Sequence, residues 1–106
     1  MIDNKIIKEV KRRLVQTYNP LEIYIFGSYA WGVPNEESDL DLFIIIEKSK
    51  DIISRRAVKG HLALFGLKIS KDIIVYTKEE FEKQIIDSAT LSFKIKKEGK
   101  KIYAKA

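Results

Sequence analysis

Ile23-Tyr24-Ile25-Phe26-Gly27-Ser28-Tyr29-Ala30-Trp31-Gly32, followed after a loop by Ser38-Asp39-Leu40-Asp41-Leu42-Phe43-Ile44-Ile45-Ile46, is the stretch whose reading decides the fold. Glu22 to Phe26 is short, β-branched and aromatic, and it runs straight into Gly27-Ser28, so a strand should turn sharply into a one- or two-turn helix at Tyr29, Ala30 and Trp31. Gly32-Val33-Pro34-Asn35 is turn-forming. Asp39 to Glu47 then reads as the strongest strand of the chain, alternating at first and afterwards continuously apolar, which predicts a central position in a sheet.

Upstream, Ile6, Ile7, Val10 and Leu14 recur at helical spacing between Lys8, Lys11, Arg12 and Arg13, predicting an amphipathic helix from about Asn4 to Thr17 that Asn19-Pro20 ends. Downstream, residues 51–65 read as a helix with Gly66 as its C-cap, and Lys68 to Tyr76 as a third strand. Thr77 and Glu80 have capping-box spacing, with Phe81, Ile85, Ile86 and Ala89 expected on the buried side of the next helix. A break near Ser88, a second helical piece around Leu91, Phe93 and Ile95, a stop at Gly99 and a short terminal strand over Lys101 to Ala104 complete the pattern. Strands alternating with helices call for an α/β (α+β) architecture, a sheet covered by helices. The short link between the first two strands permits antiparallel as well as parallel pairing there.

Composition bounds the answer. The chain has 106 residues, 45% apolar and 33% charged, as expected of one globular domain over residues 1–106 rather than of a disordered or coiled-coil chain. The absence of cysteine excludes a disulfide framework, a thiolate zinc site and a cysteine nucleophile, and suits a reducing, cytoplasmic setting. The longest apolar run, Leu42 to Ile46, is far below membrane-spanning length, so neither a signal peptide nor a membrane partner is expected. A net charge of +5 favours an anionic ligand. The lysines are not interleaved with aromatics, which places nucleic acid last among the candidate partners.

Asp39 and Asp41 stand one residue apart at the start of a strand, so both carboxylates should project from one face while Leu40 and Leu42 point to the other. Two anions roughly 7 Å apart beside a buried run repel each other, and bound cations relieve that repulsion. Mg²⁺ suits such a pair, since it takes one or two protein carboxylates and fills its octahedron with water and phosphate oxygens. Gly27-Ser28 offers a bare backbone and a hydroxyl to a phosphate. Asp72 opens the apolar run Ile73-Ile74-Val75 and should reach the same edge of the sheet from a neighbouring strand. Each of these features alone has an ordinary alternative: a solvated Asp-x-Asp, a plain turn, an exposed strand end. Trp31 defaults to packing, Arg55 and Arg56 to solvated helix positions, and His61 to a surface or helix-end position without a role.

Gly27-Ser28-Tyr29-Ala30-Trp31-Gly32, ten residues between Ser28 and Asp39-Leu40-Asp41, Asp72 in Asp-Ile-Ile-Val-Tyr-Thr, and the closing Lys97-Glu98-Gly99-Lys100-Lys101-Ile102-Tyr103 together resemble the minimal nucleotidyltransferases of the DNA polymerase β-like superfamily. That resemblance implies the polymerase β-like fold, a mixed sheet flanked by helices. It implies that Gly27 and Ser28 hold the β- and γ-phosphates of a nucleoside triphosphate such as ATP. Asp39, Asp41 and Asp72 would then be metal-binding and catalytic, holding two Mg²⁺ ions, with Asp72 helping to activate the attacking hydroxyl. It also implies an antitoxin role beside a helical HEPN-type toxin that receives AMP. At 106 residues the chain is too short for a separate acceptor-binding domain, so the acceptor site is expected from a partner or a second copy of the chain. The pattern departs at Trp31, where relatives often carry arginine. The alternative expectation is therefore a catalytically weak or inactive binding module that neutralises its partner by complex formation.

Overall fold

In the computed structural model, which describes residues 2–106, four strands form one mixed sheet in the order β3-β2-β1-β4. The strands are β1 (Glu22–Phe26), β2 (Leu40–Ile46), β3 (Lys71–Thr77) and β4 (Lys100–Ala104). The short connection from β1 carries the one-turn helix α2 (Ser28–Trp31), and it resolves the open pairing as antiparallel: Phe26 faces Asp41 and Glu22 faces Ile45. β2 and β3 run parallel, in register from Leu40 opposite Lys71 to Ile46 opposite Thr77. β2 is interior to the sheet, as its unbroken apolar run predicts.

Strand alternation sorts the core into two layers. Ile23, Ile25, Leu40, Leu42, Ile44, Ile73 and Val75 face one side, where Val10, Leu14 and Tyr18 of α1 (Asn4–Tyr18) and Leu64 cover them. Tyr24, Phe26, Phe43 and Ile45 face the other, under Phe81 of α5 (Lys78–Gln84) and Ile95 of α6 (Leu91–Glu98). Helix α1 starts where the Asp3 side chain accepts a hydrogen bond from the Ile6 backbone N–H and stops at Asn19, whose φ of 47° is left-handed. Among the described residues, no helix is long and apolar enough to cross a membrane.

Three local expectations are corrected. The helix expected over residues 51–65 is two short ones, α3 (Ile53–Arg56) and α4 (Val58–Ala63). Arg56, the last residue of α3, is expected to be solvated but is 7% exposed. Its guanidinium donates to the carbonyls of Asp51 and Val75 and forks onto both carboxylate oxygens of Glu80, at 2.6 and 3.1 Å. The third strand starts at Lys71 rather than Lys68, because Lys68 takes a φ of 55° that no strand residue adopts. Helix α5 ends at Gln84, so Ile86, expected on the buried side, is 84% exposed, and Ala89 is exposed as well. Thr77 and Glu80 do form the capping box, and Glu80 thereby joins the start of α5 to Arg56.

The Arg56 guanidinium, with hydrogen bonds from Thr77, holds the Glu80 carboxyl at about 2 against an ordinary 4.5. This depressed value stabilises the fold fully above pH 4.5, and the contribution is lost as pH falls toward 2. Glu80→Gln keeps an acceptor for the capping box and removes the charge. It should cost about 2 kcal/mol at pH 7 in urea denaturation, and its deficit against the parent should shrink below pH 4.5 and vanish near pH 2. A deficit independent of pH would assign the loss to packing.

Candidate active site

The site is built at the end of the sheet where β1 finishes and β2 and β3 begin. Gly27 follows the last residue of β1 with φ 72° and ψ −148°, a conformation essentially confined to glycine. Space imposes the same choice, because a β-carbon on Gly27 would collide with Oδ2 of Asp41. The Gly27 carbonyl accepts hydrogen bonds from the Ala30 and Trp31 N–H groups at 2.9 and 3.0 Å, which winds Ser28 into α2. A second glycine closes the turn: a β-carbon on Gly32 would lie 2.9 Å from the Ser28 α-carbon. Gly27 brings bare backbone against the Asp41 carboxylate, and Ser28 follows it at the start of α2.

Asp41 lies between Phe26 of β1 and Asp72 of β3, its register partners on either side. By alternation Asp41 shares its face with Phe43 and Ile45, and Asp72 with Ile74 and Tyr76, so both carboxylates stand on the α5–α6 face. Asp39 precedes β2 by one residue and is exposed. The Ser70 hydroxyl donates to its Oδ1, while the Ser70 carbonyl accepts the Leu40 N–H at 2.9 Å. Burial, reinforced by the charges of Asp72 and Asp39, raises the Asp41 carboxyl above the usual carboxylate range. Four carboxylates among the described residues are partly buried: Glu9, Glu22, Asp41 and Glu80. Three are paired with arginine or lysine, and Asp41 alone has no cation.

The donors suit a hard divalent ion in chemistry, being all oxygen, and in charge, being uncompensated. No three acidic or histidine side chains among the described residues close into a cage by themselves. A cation held partly by substrate phosphates needs no such cage.

The sequence pattern of the nucleotidyltransferase domain family matches residues 4–102. The chain belongs to that family. This nucleotidyltransferase is 28% identical over 89 residues to a Methanocaldococcus jannaschii protein whose name makes it a candidate protein adenylyltransferase, covering 76% of this chain and 89% of that one. Its fold is similar to the 1.40 Å crystal structure of a candidate nucleotidyltransferase from Sulfolobus solfataricus, with a TM-score of 0.59 and 26% identity, covering 74% of this chain and 70% of that one. A nucleotide is accordingly the substrate of this nucleotidyltransferase, and divalent metal is general in the family.

Gly27, Ser28, Asp39, Asp41 and Asp72, named from the sequence, come together at one end of the sheet. Ser70 was not among them, although parallel pairing of the strand that carries Asp72 is the signal that would have placed it beside Asp39. His61 is exposed on α4, as expected, and Tyr76 packs edge-on against Phe43 with centroids 5.2 Å apart. Because Asp41 is partly buried without a cation, Asp41→Asn should stabilise the metal-free nucleotidyltransferase by about 1 kcal/mol in urea denaturation with chelator present. Equal or lower stability would mean that the carboxylate is already compensated.

Proposed function

We propose that this nucleotidyltransferase is Mg²⁺-dependent and transfers AMP from ATP to a hydroxyl on a protein acceptor. The observation that carries the reading is Asp41, partly buried without a cation, with Asp72 beside it in register and the Gly27 turn against its carboxylate. In this reading Asp39 and Asp41 supply oxygen ligands for two ions, and Asp72 is both a ligand and the acceptor of the attacking hydroxyl's proton. Magnesium, when bound, supplies charge neutralisation for the entering and leaving oxygens. The Gly27 backbone and the Ser28 hydroxyl bind and orient the β- and γ-phosphates. The acceptor oxygen bonds to the α-phosphorus, the bond to the β-phosphate oxygen breaks, pyrophosphate departs and the proton passes to Asp72. Positioning and electrostatics carry such a transfer, with little covalent work for the protein.

A protein acceptor is supported by two observations. One is the name of the Methanocaldococcus jannaschii relative. The other is an apolar stripe on α4 and the residues after it: Val58, Leu62 and Phe65 recur at helical spacing and are 55%, 70% and 83% exposed. A helical HEPN-type toxin is the partner we propose, making the chain an antitoxin that acts by AMP transfer. The binding-module alternative uses the same stripe without chemistry. The two readings separate on one experiment: the chain is incubated with ATP, Mg²⁺ and a HEPN-type protein, and the intact mass of each protein is measured. Added AMP on the partner is expected with the parent, and Asp41→Asn or Asp72→Asn should reduce it at least a hundredfold. Tight complex formation without added AMP would favour the binding module.

A further inference from the structure

The face of the sheet that carries Asp41 and Asp72 is also the face that α6 and Trp31 border. Phe26 pairs with Asp41, and the neighbouring Ile25 pairs with Lys100, so the C-terminal end of α6 arrives at the end of the sheet where the aspartates stand. Trp31 lies three residues after Ser28 in α2, one turn along the same side of that helix. Its half-buried ring rests against Phe26, with centroids 6.3 Å apart. Over that ring, 4.6 Å from its centroid, stands the ammonium of Lys94.

Lys94 is exposed and has no carboxylate within ion-pair distance among the described residues. The lysine on β4 with a comparable aromatic contact, Lys101 over Tyr24, is neutralised by Glu22 at 2.7 Å. Lys94 therefore has a ring that fixes where its charge lies and nothing that cancels it. A cation held over Trp31, which is itself one helical turn from Ser28 and belongs to the layer on the carboxylate face, is suited to a polyanion lying along that face. The ring face occupied by the ammonium is closed to a stacking base, which favours phosphate over adenine as the group met here.

We propose that Lys94, held by Trp31, is a substrate-binding residue for the triphosphate of the nucleotide. The inference rests on the nucleotidyltransferase reading of Asp39, Asp41 and Asp72 and adds to it a residue from the far end of the chain.

Trp31 is the single tryptophan, so its fluorescence reports on the pair directly. The parent is titrated with Mg²⁺-ATP, with Mg²⁺ and inorganic tripolyphosphate, and with adenosine. Lys94→Met should weaken Mg²⁺-ATP and tripolyphosphate about tenfold each and leave adenosine binding unchanged, whereas Lys94→Arg should keep most of the affinity. In steady-state transfer the same loss should appear in KM for ATP with kcat nearly unchanged, as for a contact made equally in ground and transition states. Unaltered tripolyphosphate affinity in Lys94→Met, in a parent that binds and transfers, would overturn the role of Lys94 alone. A loss confined to adenosine would overturn it in favour of base stacking. A parent that neither binds Mg²⁺-ATP nor transfers AMP would remove the catalytic reading first, and this inference with it.

Discussion

The parallel ladder between β2 and β3 is the constraint on which the site depends. Its seven pairs, from Leu40 and Lys71 to Ile46 and Thr77, set Asp41 beside Asp72 with no freedom to slip, because a shift of β3 by one residue would turn Ile73 and Val75 out of the core, and a shift of β2 would do the same to Leu42 and Ile44. Leu40, Leu42, Phe43, Ile44 and Ile45 are all at most 2% exposed. At roughly 1.5–3 kcal/mol each, their burial outweighs by far the cost of holding like charges side by side at a half-exposed rim, which is on the order of 1 kcal/mol. Hydrophobic register thus forces an electrostatically unfavourable pair, and it is this pair to which the proposed function assigns the chemistry.

The opposite end of β3 is held in a different way. Arg56 binds the Val75 carbonyl and the Glu80 carboxylate, and Glu80 in turn caps α5 through Thr77. One guanidinium therefore fixes α3, the end of β3 and the start of α5 relative to one another. The strand is anchored at its C-terminal end by the ion pair of buried Arg56 with half-buried Glu80 and at its N-terminal end by Ser70, which bonds both the backbone of Leu40 and the carboxylate of Asp39. A carboxylate must be held by a rigid support to bind in one geometry, and a strand secured at both ends is such a support.

Much of this was legible in the sequence, and the boundary of legibility is physical. The apolar run of β2 announced an interior strand, and Gly27-Ser28 followed by Asp39-x-Asp41 marked the turn and the carboxylates. Local rules reach that far, because side-chain alternation and turn chemistry act within a few residues. Arg56 was read as solvated because its partners, Val75 and Glu80, are 19 and 24 residues away and become neighbours only through the parallel pairing. Ser70 and Lys94 were invisible for the same reason: each acquires meaning only when a distant strand or helix is laid beside the motif. The end of α5 failed differently. Ile85, Ile86 and Ala89 continue an apolar pattern, but the chain bends at residues 85–90 and the Thr90 hydroxyl bonds the carbonyls of Gln84 and Asp87, opening α6 instead.

The distribution of charge separates architecture from function. Glu9 lies between Arg12 and Arg13, Glu22 meets Lys101 and Glu80 meets Arg56, so wherever the fold draws a carboxylate partly out of water it supplies a cation from its own chain. Asp41 breaks that rule: its register partners are Phe26 and Asp72, and neither supplies a cation. An uncompensated, partly desolvated carboxylate is a mark of a functional site, and the exposed Lys94, seated over the Trp31 ring without an acidic partner, offers a positive charge on the same layer of the fold. A ligand that satisfies both must present cations to the aspartates and anions to the lysine. The metal-chelated polyphosphate of the proposed function meets both requirements, which neither a free metal ion nor a free phosphate does.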